Sequence, residues 1–261
     1  MKKVSIVIPV HNCQSTIRRS LMSIHNQTFR DFEVILVDNN STDDTMKIVN
    51  EFINDMEIKV FKCLQKGIVP TLNTGIKHAT GEYIARQDGD DFWYEDKLEK
   101  QVNFLESNPE IGIVGTQIQL LDSEGQIQKQ GTMGIEIKYP LVDNEIRYMM
   151  IHGENPLCHP SVLIRAKLFE LVGGYEKVFP KAEDLHLWLK FFPHTKFANL
   201  PEVLVDYTQT FSPDYDARVP LLLSDMYFSL YKTAGLIEGE KEKRVWDWQR
   251  DPNFHGNIGG R

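Results

Sequence analysis

In the first half of the chain, segments with consecutive hydrophobic residues alternate with segments in which hydrophobic residues recur at helical spacing. Short apolar runs rich in β-branched residues predict two buried strands, Val4–Ile8 and Glu33–Val37. Further strands are predicted at Ile58–Phe61, Tyr83–Ala85 and Ile111–Val114. Apolar residues at helical spacing predict intervening helices over Thr16–Gln27, around Met46–Ile53, over Pro70–His78 and over Asp96–Glu106. This alternation predicts an α/β fold with a doubly wound, mainly parallel sheet and helices on both faces.

The second half of the chain has a less regular pattern. We predict a hairpin of Gln117–Leu121 with Gln126–Gln130, helices over Val142–Ile151 and Glu183–Phe192, and strands at Ser161–Ile164, Lys196–Asn199 and Val203–Tyr207. A polar stretch then precedes two predicted helices, Val219–Ala234 and Lys241–Trp248, and a Gly-rich tail that we expect to be disordered. These patterns predict a domain over residues 1–207 and a small helical C-terminal extension over residues 208–261.

Composition narrows the functional classes. The 261 residues are 41% hydrophobic and 25% charged, as in a soluble globular protein, and the net charge of −8 argues against a nucleic-acid partner. The N-terminal apolar run is too short for a signal peptide, and no stretch approaches the roughly 18 apolar residues of a membrane-spanning helix. Cys13, Cys63 and Cys158 form no metal or redox motif. We therefore expect a cytoplasmic location.

The strongest chemical signal is Asp88-Gly-Asp-Asp91, which directly follows a predicted strand. Like charges rarely crowd at a strand end unless a cation neutralises them. Hard oxygen ligands suit Mg²⁺ or Mn²⁺, which keep part of their coordination shell for a substrate phosphate. Because open α/β sheets bind ligands at the carboxyl ends of their strands, this segment predicts a metal–diphosphate site. The alternative is a solvated acidic turn that caps the following helix.

Two more polar segments follow predicted strands. Asp38 ends the second strand, where its carboxylate could accept the imide N–H of a uracil or thymine, while Ser41 or Asp43 is placed to cap the next helix. Pro9–Asn12 follows the first strand and lacks the Gly-x-Gly-x-x-Gly pattern, which argues against a Rossmann-type dinucleotide site.

A second acidic pair, Glu183 and Asp184, opens a predicted helix. The helix dipole by itself could explain carboxylates at this position. The preceding Gly173-Gly-Tyr175 could let a loop fold over a substrate, and Trp188, one turn after Asp184, could stack on a sugar face.

In their order and spacing, these segments resemble inverting family 2 glycosyltransferases of GT-A fold, of the type that builds bacterial polysaccharides and lipooligosaccharides. The resemblance covers roughly four-fifths of the chain, within the usual size of one domain. The matching segments are Val4–Asn12, Glu33–Asp38 with Ser41–Asp43, Leu72–Gly75 with Gly81–Ile84, Asp88–Asp91, His159–Val162, Gly173–Tyr175 and Glu183-Asp184.

The resemblance implies a nucleotide-sugar donor and a divalent metal, Mn²⁺ or Mg²⁺. Asp38 would bind the nucleobase, Asp88 would face the ribose or the sugar, and Asp90 would bind the metal that bridges the diphosphate. The other residues expected at the donor are Pro9, His11, Asn12, Asn39, Asn73 and Gly89. Many relatives have Asp where this chain has Asn39, and Arg where it has Leu72. The resemblance therefore implies that Lys66 or Arg86 replaces that arginine, or that the contact is absent.

For the acceptor, the resemblance implies that Asp184 is the general base and that Glu183 orients Asp184 or the acceptor. The expected acceptor-binding residues are His159, Gly174, Tyr175 and Trp188. One sugar would be transferred with inversion from a UDP-hexose or UDP-N-acetylhexosamine to a hydroxyl of a glycan or lipid-linked glycan. The chain lacks the Gln-x-x-Arg-Trp motif of processive synthases, which argues for one transfer per encounter.

Three other classes fit the sequence less well. A phosphatase of the haloacid-dehalogenase type needs Thr or Val where Phe92 stands, and a sugar nucleotidyltransferase needs a Gly-rich basic loop in place of Pro9–Gln14. A non-catalytic sugar-binding module would not need two acidic clusters. Separately, Trp246 and Trp248 could form an amphipathic helix on the inner face of the cytoplasmic membrane, or could instead pack on the sheet.

Overall fold

The computed structural model describes residues 2–128, 138–179, 181–209, 216 and 218–238, and the statements below concern these residues. The strands are β1 (Val4–Val10), β2 (Phe32–Asp38), β3 (Ile58–Lys62), β4 (Tyr83–Arg86), β5 (Phe92–Trp93), β6 (Ile111–Leu121), β7 (Ile127–Gln128), β8 (Leu163–Arg165) and β9 (Lys196–Thr208). The helices are α1 (Ile17–His25), α2 (Thr45–Phe52), α3 (Ile68–His78), α4 (Lys97–Ser107), α5 (Asp143–Ile151), α6 (Lys167–Val172), α7 (Glu183–Phe191) and α8 (Arg218–Thr233), with a 3-10 turn at His159–Ser161.

All the strands belong to one sheet, in the order β3-β2-β1-β4-β8-β6-β9-β5, with β7 paired to β6. β1 to β4 are mutually parallel, and β1 aligns Ser5 with Glu33 of β2 and with Ile84 of β4. β8 runs antiparallel between β4 and β6, while β6 and β9 are parallel. The carboxyl ends of β1, β2 and β4 therefore meet at one edge, and the polar segments that follow them gather there.

Apolar residues fill both faces of the sheet, which explains why the buried strands read as continuous hydrophobic runs. Ile6 and Ile8 of β1 face one core, whereas Val7, between them, faces the other. Helix α3 lies so close to the second face that a Cβ on Gly75 would stand 2.4 Å from Cγ1 of Val7. Helices therefore cover both faces, as the sequence pattern predicts.

Two prolines lie inside observed strands, although the sequence pattern predicts that each proline interrupts its strand. Pro9 was expected to end the first strand, yet β1 continues to Val10, because β4 pairs β1 only as far as Val7 and leaves that edge open. Pro201 was expected to separate two strands, yet β9 is continuous. Its register against β6 passes from Leu200 directly to Val203, so a bulge accommodates the proline.

The hydrophobic pattern of the sequence does not predict two short elements, β5 and α6. β5 has two residues, and it pairs antiparallel with Val205 and Asp206 of β9. α6 has six residues and ends at Gly173, whose φ of 85° is readily adopted by glycine. Neither element is long enough to show a hydrophobic period.

Glu33 anchors the amino-terminal end of β2. Its buried carboxylate accepts hydrogen bonds from Ser5 Oγ and Lys59 Nζ, both at 2.6 Å, and from the Thr80 backbone N–H at 3.0 Å. Burial acts to raise the pKa of Glu33, but these donors outweigh it and lower the pKa to about 2.

In the predicted C-terminal extension, α8 packs against α5 and α7. Its side chains Leu223, Tyr227 and Tyr231 are buried in the same core as the α7 side chains. The predicted helix Lys241–Trp248, with both its tryptophans, the Gly-rich tail and the end of the predicted hairpin at Gln130 lie outside the described residues.

Candidate active site

The acidic segment after β4 forms a compact carboxylate cluster. Asp88, Asp90 and Asp91 each offer an oxygen within 4.8 Å of the others. The end of β9 fixes this cluster, because the Thr208 backbone N–H donates to Asp91 Oδ1 and its hydroxyl donates to the Asp90 carbonyl, both at 2.8 Å. The segment is therefore anchored to the sheet at two points.

Gly89 meets a steric requirement in this cluster. A Cβ at this position would lie 2.8 Å from Sγ of Cys13, in the loop after β1. The Asp88 carbonyl beside it accepts a hydrogen bond of 2.8 Å from the Ser20 hydroxyl of α1. Glycine therefore lets the acidic segment pack directly on the first loop.

The electrostatics of the cluster favour a bound cation. Burial and the negative charge of Asp88 raise the pKa of Asp90 to about 6 and hold the pKa of Asp91 well above its usual range. Asp91 Oδ2 is buried and has no hydrogen-bond partner. A hard divalent cation would satisfy that oxygen and offset the repulsion, so the residues fit Mg²⁺ or Mn²⁺. Asp91 thus joins Asp90, which the sequence analysis singled out alone as the metal ligand.

Arg86 supplies a buried positive charge beside the first acidic cluster. Its side chain is 7% exposed, and Nη2 lies 2.5 Å from Oδ1 of Asp88. Its charge also favours the ionised forms of Asp90, Glu183 and Asp184. Nε and Nη1 are buried and have no hydrogen-bond partner. Arg86 therefore has two buried donor nitrogens without a protein partner, beside Asp88 of the first acidic cluster.

Glu183 and Asp184 begin α7. Burial raises the pKa of both carboxyl groups. Oδ1 of Asp184 accepts the Leu185 backbone N–H at 2.7 Å, and Oδ2 accepts Nδ2 of Asn155 at 2.6 Å. Sequence reasoning missed Asn155, because its partner lies 29 residues away and nothing local to the Asn-Pro pair marks the contact.

The loops after β1 and β2 are joined beside Asp38. Asp38 is 4% exposed, and its Oδ1 accepts the Ser41 backbone N–H at 2.9 Å. Asn12, at a φ of 50°, accepts the Thr42 backbone N–H at 2.8 Å. The first helical N–H of α2, on Thr45, is bonded by Asp43 at 3.0 Å. Asp38 is thus not used to cap that helix.

The structure places the remaining predicted donor residues around these loops. Pro9 lies buried within β1. His11 Nδ1 is 2.8 Å from the Asn39 carbonyl oxygen, which links the two loops. Lys66 is exposed on the connection between β3 and α3, whereas Arg86 lies beside the acidic clusters. Of the two substitutes expected for the arginine missing at Leu72, Arg86 therefore has the better position.

Two residues predicted at the donor, Asn39 and Asn73, hold loops in place through their side-chain amides. The Asn39 amide donates to the carbonyls of Cys63 and Gln65 and accepts the Gly67 N–H, at 2.8, 2.8 and 2.9 Å. The Asn73 amide bonds both the N–H and the carbonyl of Tyr175 at 2.9 Å. Because protein groups occupy these amides, their role is to fix the backbone around the site.

The residues predicted at the acceptor are buried in the structure. Trp188 is 0% exposed and meets the His159 ring edge-on, so it presents no face on which a sugar could stack. His159 Nε2 is 2.6 Å from the Tyr175 hydroxyl, and both residues are buried. Gly174, at a φ of 94°, is buried against Asn73. This layer supports the acidic pair from beneath.

Comparison with known proteins decides the family. The family model described as "Glycosyl transferase family 2" matches residues 5–172. The chain belongs to glycosyltransferase family 2. The putative glycosyltransferase EpsE of Bacillus subtilis is 36% identical over 196 residues, which cover 73% of this chain. The same segment spans 66% of the length of EpsE, so this chain matches somewhat less than two thirds of that relative.

Solved structures confirm the GT-A fold of this family 2 chain. Residues 1–349 of TarS of S. aureus, in complex with UDP-GlcNAc, superpose with a TM-score of 0.65 at 18% identity, covering 95% of this chain and 77% of that TarS chain. A mannosyltransferase from Pyrobaculum calidifontis, in complex with GDP-Man and Mn²⁺, superposes with a TM-score of 0.61 at 19% identity, covering 90% and 72% of the two chains. At such identities the likeness shows the fold alone.

Proposed function

We propose that this family 2 chain is an inverting, metal-dependent glycosyltransferase that moves one sugar from a UDP-sugar to a hydroxyl of a glycan or lipid-linked glycan, in cell-surface polysaccharide synthesis. The observation that carries the proposal is the ion pair of buried Arg86 with Asp88, because the charge of Arg86 also acts on Asp184 in the second cluster. In this proposal, a donor held at the first cluster lies close to a base in the second. A sugar-binding module would need no such arrangement.

At the donor end, the proposed role of Asp38 follows from the carboxylate oxygen that no protein donor occupies. Asp38 has accepted one backbone N–H through Oδ1. Its second oxygen remains for the imide N–H of uracil, which is an acidic donor suited to a carboxylate. The complex of TarS with UDP-GlcNAc supports a UDP-sugar, although the mannosyltransferase neighbour is in complex with GDP-Man, so this fold accepts more than one base.

At the diphosphate, Asp88, Asp90 and Asp91 would hold a divalent metal, and Arg86 would donate its free N–H groups to phosphate oxygens. The Mn²⁺ in the complex of the mannosyltransferase neighbour supports a metal of this type. When bound, the metal supplies positive charge that stabilises the departing diphosphate. Arg86 would add fixed donors that need no reorganisation as that charge develops.

At the acceptor end, Asp184 is the proposed general base. It would take the proton of the attacking hydroxyl as the acceptor oxygen bonds to the anomeric carbon and the bond from that carbon to the diphosphate oxygen breaks. The electron pair of that bond leaves with UDP. Because attack and departure occur on opposite faces of the sugar, the anomeric configuration inverts. Glu183 would orient the acceptor or Asp184.

The proposal includes contact with a membrane because the acceptor could be a lipid-linked glycan. Searching the described residues yields no helix both long enough and apolar enough to span a bilayer. A lipid-linked acceptor would then have to reach the site from a membrane surface. We keep peripheral association with the inner face of the cytoplasmic membrane as a proposal.

Release of UDP from a panel of UDP-hexoses and UDP-N-acetylhexosamines, with Mn²⁺ and with excess EDTA, tests the proposal. We expect release with one or a few donors, and loss of that release in EDTA and in Asp90→Ala. Asp184→Asn should lower turnover by roughly 10²-fold, the usual contribution of a general base, while the affinity for UDP stays unchanged. Full activity in EDTA, or near-normal turnover of a folded Asp184→Asn protein, would contradict it.

A further inference from the structure

The loop between α5 and the 3-10 turn contains an exposed amide that touches the proposed base. Nδ2 of Asn155 donates to Oδ2 of Asp184 at 2.6 Å, and the Leu185 N–H occupies the other oxygen. We infer that Asn155 is a positioning residue that fixes the plane of the Asp184 carboxylate. This inference rests on the proposed function.

Hydrogen-bond capacity supports this role. Each carboxylate oxygen has about two lone-pair sites, so one donor on each oxygen still leaves a site for the acceptor hydroxyl. Proton transfer to a base requires the hydroxyl oxygen at roughly 2.6–3.2 Å, which a freely rotating carboxylate would hold poorly. Two donors that grip both oxygens of Asp184 remove that rotation.

The loop that carries Asn155 is itself held firmly. The carbonyl of the next residue, Pro156, accepts Nδ2 of Asn199 from β9 at 3.0 Å, and the same amide bonds the Pro140 carbonyl at 2.7 Å. Two residues before Asn155, Gly153 has a φ of 81° and packs against Leu221 of α8. The amide is thus presented from a fixed backbone to a carboxylate on α7.

Charge considerations explain why an amide suits this position. Burial raises the pKa of Asp184, and the bonds from Leu185 and Asn155 and the charge of Arg86 act against that rise. The other titratable groups whose charges interact with this carboxylate are Glu183 on the same helix, and Tyr139 and Tyr175 from neighbouring loops. Asn155 adds a donor without adding a charge that could itself titrate.

Exposure separates this role from a structural one. Asn155 is exposed, and its Oδ1 also accepts the Leu157 backbone N–H in a long contact of 3.4 Å. Hydrogen bonds at an exposed position contribute little to folding. Asn155→Ala should therefore lower the melting temperature by no more than about 3 °C. Any large loss of turnover would then arise from the base and not from unfolding.

The test measures kcat as a function of pH for the wild type, Asn155→Ala and Asn155→Asp. The donor is the UDP-sugar found in the donor panel. Alanine removes a donor to the ionised carboxylate, so kcat should fall about tenfold and the acid limb of the profile should move to higher pH. Aspartate places a like charge against Asp184, so it should move the acid limb further and reduce kcat by about 10²-fold. Calorimetric titration with UDP and Mn²⁺ should show affinity within about twofold of the wild type.

Asn50→Ala, which removes an equally exposed amide from α2, is the matched control and should leave the profile unchanged. An unchanged acid limb in Asn155→Ala would overturn the inference, whatever its melting temperature. Asp184→Asn, measured in parallel, separates the two ideas. If it loses turnover while Asn155→Ala keeps the wild-type profile, only the role of Asn155 fails. If Asp184→Asn itself turns over normally, the base assignment fails and the inference falls with it.

Discussion

Exchanging Arg86 for lysine tests whether its free N–H groups bind the donor diphosphate. Lysine keeps a positive charge beside Asp88 but cannot reproduce the planar fork of a guanidinium group. Nε and Nη1 are buried without partners, and in our proposal each donates to a phosphate oxygen when UDP binds. A hydrogen bond to a charged group contributes about 1.5 kcal/mol at the low end of its range. Loss of both bonds therefore predicts about 3 kcal/mol, or roughly 150-fold, weaker binding of UDP.

Calorimetric titration of Arg86→Lys with UDP, in the presence of Mn²⁺, measures this loss directly. The folded state should not suffer, because two buried N–H groups without partners already cost the free protein stability. Arg18→Lys is the matched control, because Arg18 pairs with Glu51 on an exposed face of α1. This variant should bind UDP with the wild-type affinity. A well-folded Arg86→Lys protein with UDP affinity within about threefold of the wild type would refute the assignment of these N–H groups to the diphosphate.

Three further predictions concern pH and donor binding. Because burial and the charge of Asp88 raise the pKa of Asp90 to about 6, Mn²⁺ affinity should weaken as the pH falls through that value, and calorimetry across this range checks it. Asp38→Ala should raise KM for the donor and leave kcat nearly unchanged, because base contacts are equal in the ground and transition states; a large fall in kcat at saturating donor contradicts this. The folded-state pKa of Glu33 is lowered to about 2, so its stabilisation is present above about pH 4.5 and is lost as the pH falls towards 2. Glu33→Gln should lower the free energy of unfolding in urea by about 2 kcal/mol at neutral pH and by much less near pH 2; equal losses at both would show that ionisation is irrelevant.

Much of the architecture could be predicted from the sequence, because the first half obeys simple periods. β1, β2 and β4 are buried on both faces, so they read as largely apolar runs, and the helices between them show an apolar stripe. β3, at the edge of the sheet, is largely exposed. The second half was harder to predict. Pro201 reads as a strand break when only its neighbours are considered, yet a bulge against β6 keeps β9 continuous.

For the site, the sequence located the acidic residues, and the fold decided what each one meets. Carboxylates that follow strands must gather at one sheet edge, so Asp38, Asp88 and Asp90 could be predicted from their positions alone. Side-chain direction could not be predicted in this way. Trp188 points into the core and Asn73 reaches a loop more than a hundred residues away, so neither faces a substrate.

The sequence by itself determined the α/β class, the family resemblance and the presence of two acidic clusters, because these depend on local period and on residue order. Tertiary structure decided that Arg86 pairs with Asp88 and keeps two buried donor nitrogens without a partner, and that Asn155 donates to the proposed base. Contacts of this kind join residues far apart in the chain. Their formation depends on packing and on strand register, which no local pattern of residues records.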